Sequence, residues 1–385
     1  MRWSLRRRVV LGFLCFGFCL FVVSFNVRGR LPRNTYHRKV EKRVDQLEAT
    51  TIPIEDIMAM MGNGQSENDQ QSGLDDDVIP EEWREEIRRR KKLVSEACEK
   101  YKSVKIPLTK EWIKENGDHL IVEDQYKIIY CRVPKSGNTS WKRLLLALSG
   151  IINDTSVAHG KNGFNPRDSV EKYLHTLDML SFSEAKQKLE THLKVMYLRH
   201  PLERLLSAYR NKLERNPLMH ADVSSQVVPY VMKHYRGVEP ILPVSVSQRR
   251  GRISGVFPSG KEFSFPKDEP PSWVPKITFE EFLRYVGDNQ NFLNGHWAPP
   301  NDLCHPCVIQ YDVIGYFGTI SEDANNILKL VHAYPAFKFP NMFLNPETTS
   351  NLVNRYYSTV SKSTLQKIRP IYALDAAMSA ANLRI

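Results

Sequence analysis

Apolar runs that lead into a short turn and then an amphipathic helix occur three times along the chain. The first is KIIYCRV followed by PKSGN and TSWKRLLLAL, residues 127–148. The second is LKVMYLR with PLERLLSAYRNKLE, residues 193–214, and the third is VIGYF with SEDANNILKLVHAY, residues 313–334. Near-continuous apolar strands that alternate with helices are typical of a parallel sheet covered on both faces. We therefore predict an α/β fold with a central parallel sheet flanked by helices.

The remaining segments lack this rhythm. Residues 28–80 are polar and aperiodic, which is typical of a stem or linker. Residues 81–101 form a charged pattern that predicts a solvated helix leading out of the stem. Residues 216–275 contain several prolines and a QRRGR cluster, and we interpret them as an insertion or surface loop. The globular pattern begins near residue 105, so we predict a stem over 28–104 and one domain over 105–385.

An uncharged apolar segment, residues 9–27, follows a basic N-terminal tail, residues 1–8. Its length is close to the roughly 20 residues that span a bilayer. A cleaved signal peptide is the alternative, but no small-residue cleavage site follows the segment. We expect an uncleaved signal anchor with a cytoplasmic tail and the globular part in the lumen, a single-pass type II arrangement. The short, Phe-rich span suits a thin early-secretory or Golgi bilayer.

The chain is basic, with a formal net charge of +11 and a pI of about 9.2 over 385 residues. Such a balance suits nucleic acid, an anionic membrane surface or an acidic substrate, and charge alone does not choose among them.

Four cysteines outside the apolar segment, Cys98, Cys131, Cys304 and Cys307, allow three disulfide pairings in an oxidising lumen. Zinc at Cys304-His-Pro-Cys307 is disfavoured because no second C-x-x-C completes a site. Asn153 begins a possible glycan acceptor, Asn-Asp-Thr.

The first strand ends in CRVPKSGNTS, which suits an anion without matching the Walker pattern. Gly137 lets the backbone approach a ligand, and Lys135 adds a point charge. Thr139 and Ser140 begin the helix with hydroxyls and free N–H groups, which together form an anion site. The alternative is an ordinary strand-to-helix turn with Thr139 as its N-cap.

The second strand ends at Arg199, and Ser207 lies two turns into the next helix. A guanidinium fork and a hydroxyl would hold a second phosphate, although Arg at a strand end is often only a salt-bridge partner. Because ligands of α/β sheets gather at the carboxyl ends of strands, two such sites suggest a ligand with two separated phosphate groups.

Three separated motifs, VPKSGNTSWKRLL, LRHPLERLLSAYRNK and HWAPPNDLCHPCVIQYDVIGYFGTISED, occur in that order. Together they resemble the Golgi carbohydrate sulfotransferases, in particular the chondroitin 4-O-sulfotransferases and their dermatan and terminal-glucuronate relatives. The resemblance runs from about Ile106 to the mid-370s and weakens across 216–275. It implies a P-loop-like sulfotransferase fold, 3′-phosphoadenosine 5′-phosphosulfate as the sulfate donor, and no metal.

The resemblance also assigns donor-binding residues. Those matching the 5′-phosphosulfate loop are Pro134, Lys135, Ser136, Gly137, Asn138, Thr139 and Ser140. Those matching the 3′-phosphate contacts are Arg199 and Ser207, with Arg204 nearby.

Sulfuryl transfer to a hydroxyl needs charge stabilisation and a base. Lys135 can neutralise the charge that develops on the leaving oxygen. For the base we select His296, which lies in a Gly-His-Trp-Ala-Pro turn within the resemblance. The alternative is a structural histidine packed on Trp297, with His175 and His159 as rival bases.

The expected reaction is sulfation of a glycosaminoglycan, most simply at the 4-hydroxyl of N-acetylgalactosamine in chondroitin. Dermatan and a terminal glucuronate of glycoproteins are alternative acceptors. A membrane-anchored polyanion-binding module is the non-enzyme alternative, and a kinase or nucleotide hydrolase would require the Walker Lys and a Mg²⁺-holding Asp. The expected partners are therefore an acidic glycosaminoglycan and the Golgi membrane, with no nucleic acid. Candidate contacts to uronates, with solvated helix faces as the alternative, are Lys142, Arg143, Arg210 and Lys212.

Overall fold

The computed structural model describes residues 78–101, 107–152, 172–291, 293–340, 349–381 and 383. The predicted tail and membrane anchor, Asn153 and His159 lie outside these ranges. Among the described helices, none has the length and apolar character needed to cross a membrane.

Twelve helices and seven strands are described, together with several short 3₁₀ turns. The helices are α1 (Glu81–Lys100), α2 (Lys110–Asn116), α3 (Asn138–Leu148), α4 (Phe182–Thr191), α5 (Pro201–Tyr209), α6 (Ala221–Arg236), α7 (Phe279–Asp288), α8 (Pro300–Cys304), α9 (Ile320–Leu330), α10 (Thr349–Tyr357), α11 (Lys362–Ile371) and α12 (Ala373–Met378). The strands are β1 (Leu120–Glu123), β2 (Ile128–Cys131), β3 (Leu193–Leu198), β4 (Ser245–Arg249), β5 (Arg252–Val256), β6 (Glu262–Pro266) and β7 (Val313–Tyr316).

The central sheet has the strand order β1-β2-β3-β7. Strands β2, β3 and β7 run parallel, with Tyr130 opposite Val195 and Val195 opposite Val313. They are the three strands predicted, and helices α3, α5 and α9 follow them as predicted. The expectation of a parallel sheet flanked by helices is confirmed for these units. Strand β1, which pairs antiparallel with β2 at the edge, was not predicted.

Both faces of the central sheet are buried. Successive side chains of a strand point to opposite sides, so each strand contributes to two cores. Ile128 and Tyr130 face a core formed with helices α3 and α9. Ile129 and Cys131 face a second core formed with α2, α4 and α8. A third, helical core joins α5 to α6, α7, α10 and α11. The apolar strands of the sequence pattern thus have the two-sided burial that the pattern predicts.

Helix α1 is not solvated, as the charged sequence had suggested, but lies across the edge of β7. Arg90 is buried, and its Nη1 donates to the Ile314 carbonyl of β7 at 3.3 Å and to Asp323 Oδ2 at 2.8 Å. The helix packs through one narrow apolar stripe, which is formed by Trp83, Ile87, Val94 and Ala97. A helix over an edge strand hides backbone groups that would otherwise pair with another chain.

Residues 216–275 are more regular than the predicted surface loop. Helix α6 buries Val223, Val227, Val228 and Val231, and it continues past Pro229. Strands β4, β5 and β6 then form a three-stranded antiparallel meander. The prediction of a loop was wrong because the prolines were read as breaks and because the valine spacing was overlooked, and the alternative of an insertion stays a prediction.

Candidate active site

The loop between β2 and α3 has the backbone of an anion cradle. Gly137 has φ +81° and occupies the N-cap position of α3, with no side chain capping the helix. This φ strains any residue that carries a Cβ, and a Cβ here would also lie 2.0 Å from Ile320 Cδ1, so the Ile320 side chain would have to move and glycine is favoured. Thr139 lies exposed in the first turn, so its predicted alternative as N-cap is wrong. The Ser140 N–H donates to the Gly137 carbonyl at 3.0 Å, and because no side chain caps the helix, the N–H groups before it are those that a ligand would meet.

Two buried polar atoms of this loop lack a hydrogen-bond partner within the described structure. They are Ser136 Oγ, on a side chain that is 0 % exposed, and Asn138 Oδ1. An unpaired buried hydroxyl costs about 1–3 kcal/mol. An anionic oxygen in the cradle would accept from the Ser136 hydroxyl and remove that cost. The loop sequence Pro-Lys-Ser-Gly-Asn-Thr-Ser contains no acidic residue that would oppose an anion.

Arg199 lies directly against this loop. Its Nη1 donates to the Lys135 carbonyl at 3.0 Å, and its Nε lies 3.4 Å from Glu203 Oε2. The guanidinium carbon stands 4.2 Å above the centre of the Phe317 ring. Burial lowers the pKa of Arg199, and Glu203 opposes that effect. Among the described residues Nη2 has no hydrogen-bond partner, so it is the atom that an anionic ligand would meet. Helix α5, which begins two residues after Arg199, carries the half-buried Ser207.

Arg204 joins the loop to the turn that carries His296. Its Nε donates to the Pro134 carbonyl at 2.9 Å, its Nη1 to Ala298 at 2.7 Å and its Nη2 to Gly295 at 3.0 Å. The side chain is 1 % exposed, and burial lowers its pKa to about 10, so it stays charged at neutral pH. Arg204, which the resemblance placed near the donor, thus uses all of its described hydrogen bonds to hold backbone carbonyls in position.

His296 is a half-buried imidazole surrounded by positive charge. Burial lowers its pKa to about 3, with further lowering by Lys212, Lys135, Arg204 and His220. The ring is therefore neutral at neutral pH, the form that a base requires. Its Nδ1 is buried and makes no hydrogen bond to any described residue, so the ring is not tied to the protein through that nitrogen. The structure thus brings Lys135 and His296 into one electrostatic neighbourhood.

The rival bases are less well placed. His175 is exposed, and its backbone carbonyl accepts a hydrogen bond from the Val122 N–H. Val122 lies on β1, the edge strand of the sheet that is separated from β3 by β2. His159 lies outside the described residues.

The four candidate uronate contacts do not share one environment. Lys142 and Lys212 are buried, at 8 % and 6 % exposure, so the alternative of solvated helix faces is wrong for these two. Lys212 Nζ lies 3.3 Å from His220 Nδ1. Arg210 Nε lies 3.5 Å from Glu214 on the π-helical extension of α5, and Arg143 is half-buried on α3.

Two disulfides resolve the pairing that the sequence left open, Cys98–Cys307 and Cys131–Cys304. Cys131 ends β2 just before the cradle, and Cys304 ends α8 just after the His296 turn. This bond therefore supports the same junction as Arg204. The described residues contain no cluster of three or more His, Cys, Asp or Glu suited to a metal.

Sequence reasoning missed the residues that support the site from elsewhere in the chain. Phe317 and Ile320 follow β7 and contact Arg199 and the position of Gly137. The carboxyl end of the third parallel strand could have pointed to them, because such ends gather at ligand sites. No local signal marks Asp375 of the distant helix α12, whose carboxyl raises the pKa of Arg204 while burial raises its own pKa to about 7.

Comparisons with known proteins agree with this geometry. A model of the sulfotransferase family matches residues 118–378. Carbohydrate sulfotransferase 14 of Mus musculus is 31% identical over 68% of this chain and 60% of its own length. Carbohydrate sulfotransferase 11 of Rattus norvegicus is 29% identical over 68% of this chain and 66% of its own length. Carbohydrate sulfotransferase 9 of Homo sapiens is 29% identical over 75% of this chain and 58% of its own length.

The chain thus aligns with about three fifths to two thirds of these curated relatives. No solved structure matches it. The family match covers most of the described domain and includes both the cradle and the His296 turn, so the predicted resemblance is confirmed. This chain belongs to the sulfotransferase family, and it is similar there to the carbohydrate sulfotransferases.

Proposed function

We propose that this chain transfers a sulfuryl group from 3′-phosphoadenosine 5′-phosphosulfate to a hydroxyl group of a glycosaminoglycan. One observation carries the proposal. Arg204 joins the loop before α3, which contains Lys135 and has no side-chain cap, to the turn that carries the neutral His296. The Ser136 hydroxyl and the first turn of α3 suit the 5′-phosphosulfate, and Arg199 Nη2 with the Ser207 hydroxyl suits the 3′-phosphate. Family membership supports the choice of donor.

The protein's own groups divide the reaction between them. The acceptor oxygen attacks sulfur while the bond from sulfur to the phosphate oxygen breaks, and the hydroxyl proton passes to the His296 ring. The Lys135 ammonium stabilises the negative charge that the leaving phosphate gains. Most of the acceleration comes from holding the reactants in line, as in phosphoryl transfer. No step requires a metal ion.

The proposed acceptor is chondroitin, sulfated at the 4-hydroxyl of N-acetylgalactosamine. The motif resemblance supports this choice, and the buried Lys212 beside His296 supplies positive charge for a uronate carboxylate. The test is to incubate the purified protein with labelled donor and desulfated chondroitin, dermatan or heparan, and then to digest the products to disaccharides. Label on the 4-position of chondroitin is the expected result. Label only on dermatan or heparan would refute the acceptor, and label on none of the three would favour a polyanion-binding module.

We expect Arg199→Ala to remove the enzyme's preference for a donor that carries the 3′-phosphate. Losing one charge-assisted contact costs about 1.5–3 kcal/mol, or roughly 10- to 100-fold in donor affinity. Affinity for a donor lacking the 3′-phosphate should fall far less, because the lost contact was never made. Calorimetry with both nucleotides measures the two affinities. Equal discrimination by wild type and Arg199→Ala would assign the 3′-phosphate elsewhere, and Arg355→Ala is a control with the same charge loss on α10.

We also propose a Golgi location, with a single-pass type II topology and the catalytic domain in the lumen. The apolar segment 9–27 and the two disulfides support it. Protease added to intact vesicles should spare the catalytic domain, and its digestion without detergent would refute the topology.

A further inference from the structure

The meander β4–β5–β6 has one packed face and one open face. Ile253 and Phe265 of the packed face lie on Leu218 and Val274. Because side chains alternate along a strand, the opposite face carries a polar set in register. One row across the three strands is Ser247, Ser254 and Ser264, and the next row pairs Arg249 with Arg252. All of these side chains are exposed except Ser254, which is half-buried.

The tip of this meander is locally unfavourable. The two-residue turn places Arg250 at φ +47° and Gly251 at φ +76°, whereas such turns favour Asn before Gly. Arg249 also stands directly opposite Arg252, and like charges in that position destabilise a hairpin. Arg249 and Arg250 have no acidic partner anywhere in the described chain, and Arg252 bonds only to Ser264. A bound anion would relieve this repulsion.

The meander is next to the candidate active site. It packs on the short turn Pro217–Met219, and Asn216 Nδ2 donates to the Lys267 carbonyl at 3.2 Å. The chain just before this turn carries Lys212, and the residue just after it is His220. Both of these act on the pKa of His296. The packed face of the meander is the one that meets this turn, so the open face points away from the turn. A chain molecule whose reacting group lies at His296 therefore has to extend around the edge of the meander to reach the open face.

We propose that the open face of the meander binds an extended stretch of the anionic polysaccharide whose reacting sugar lies at His296. The face is defined by Ser247, Arg249, Arg250, Arg252, Ser254 and Ser264. Its guanidinium groups pair with carboxylates or sulfates in planar, two-pronged contacts. Its serine row offers hydroxyls to the sugar hydroxyls and carboxylates between them.

This inference rests on the proposed function and adds a length requirement to it. The contacts of the open face lie outside the chemistry, so they lower KM for long chains without changing kcat. Within residues 245–267 there are five basic residues and one acidic residue, Glu262, which lies on the open face opposite Val256; the net positive charge of the segment suits an anionic occupant. The proposed acceptor is itself a long anionic chain, so we take a polysaccharide as the occupant, and binding to a lipid surface is the alternative outcome of the test.

The test compares wild type with the triple variant Arg249→Gln, Arg250→Asn and Arg252→Gln. Asparagine is chosen at 250 because Asn-Gly suits the turn, so the variant keeps its hairpin. Each exposed ion pair contributes up to about fivefold to affinity, and the variant removes three guanidinium groups. The KM for full-length desulfated chondroitin should therefore rise roughly tenfold or more. Values of kcat, KM for a chondroitin tetrasaccharide and donor affinity should be unchanged. Calorimetry with full-length chondroitin gives the same comparison without turnover.

A matched control removes three exposed positive charges elsewhere, in the variant Lys110→Gln, Lys186→Gln and Lys362→Gln. Its KM for the long chain should stay close to the wild-type value. A wild-type KM and affinity in the arginine variant would overturn the inference. So would loss of binding to anionic phospholipid vesicles with no change in chondroitin binding. If wild type transfers sulfate to no acceptor, the proposed function fails, and calorimetry still decides whether the open face binds the chain.

Discussion

Replacing His296 with alanine is expected to lower turnover by about 10²–10⁴-fold while donor affinity stays near the wild-type value. A positioned base contributes an acceleration of that size. The proposed donor contacts lie on the loops after β2 and β3, so removing the imidazole leaves them in place. Single-turnover transfer and donor calorimetry on the same preparations measure the two effects.

The pH profile gives a second readout of His296. A base works only unprotonated, and burial with neighbouring positive charges lowers the pKa of the free enzyme's His296 to about 3. A bound anionic donor offsets those charges and raises this pKa, so turnover should fall as pH drops through the raised value. That acid limb should be absent from the residual rate of His296→Ala. The control is His175→Ala, at the far edge of the sheet. Near-normal transfer by folded His296→Ala, with loss in His175→Ala, would move the base to His175.

Replacing Arg204 with methionine is expected to cause the largest loss of stability among these variants. Three backbone carbonyls, at Pro134, Gly295 and Ala298, lose their donor together. Each unpaired buried acceptor costs about 1–3 kcal/mol, which for three would be roughly 3–9 kcal/mol. Because the bonds to Pro134 and Gly295 are only partly buried, water replaces them in part, and the free energy of unfolding should fall by roughly 3–6 kcal/mol. Urea denaturation measures the change.

The matched control is Arg210→Met, on the extension of the same helix. Its guanidinium is partly exposed and near one carboxylate, so its loss should cost under about 1 kcal/mol. Arg204→Lys should keep the charge and recover only part of the stability, because an ammonium lacks the planar fork that reaches three carbonyls. Equal stability of Arg204→Met and Arg210→Met would contradict the positioning role.

The parts of the fold that could be predicted are those with strong local patterns. Each parallel strand is a short apolar run bounded by a turn, and burial on both faces is what makes the run continuous. Strand β1 escaped prediction because its pairing with β2 is set by contacts that a local pattern does not encode. Helix α1 was interpreted as solvated because its apolar stripe is narrow and its one buried ion pair reaches Asp323, far along the chain.

The candidate site shows the same division. The cradle is contiguous in sequence, and its Gly137 and Lys135 carry recognisable chemistry, so it could be found from a short stretch. Arg204 was noticed only as a neighbour of Arg199, since nothing local shows which carbonyls a guanidinium will meet. The disulfide pairs were beyond sequence reasoning for the same reason, because connectivity depends on which strand ends meet in space.

The position of helix α1 determines where the chain can be cut. A fragment that begins near residue 105 lacks Arg90 and leaves Asp323, which is 0 % exposed, as a buried carboxylate without its cation. Losing one partner of a buried pair costs about 3–5 kcal/mol. The same cut removes Cys98 and turns Cys307 into a free thiol. Any cleavage that removes the N-terminal segment and leaves the folded domain intact therefore has to occur upstream of Glu81, and a truncated version for assay has to keep that residue.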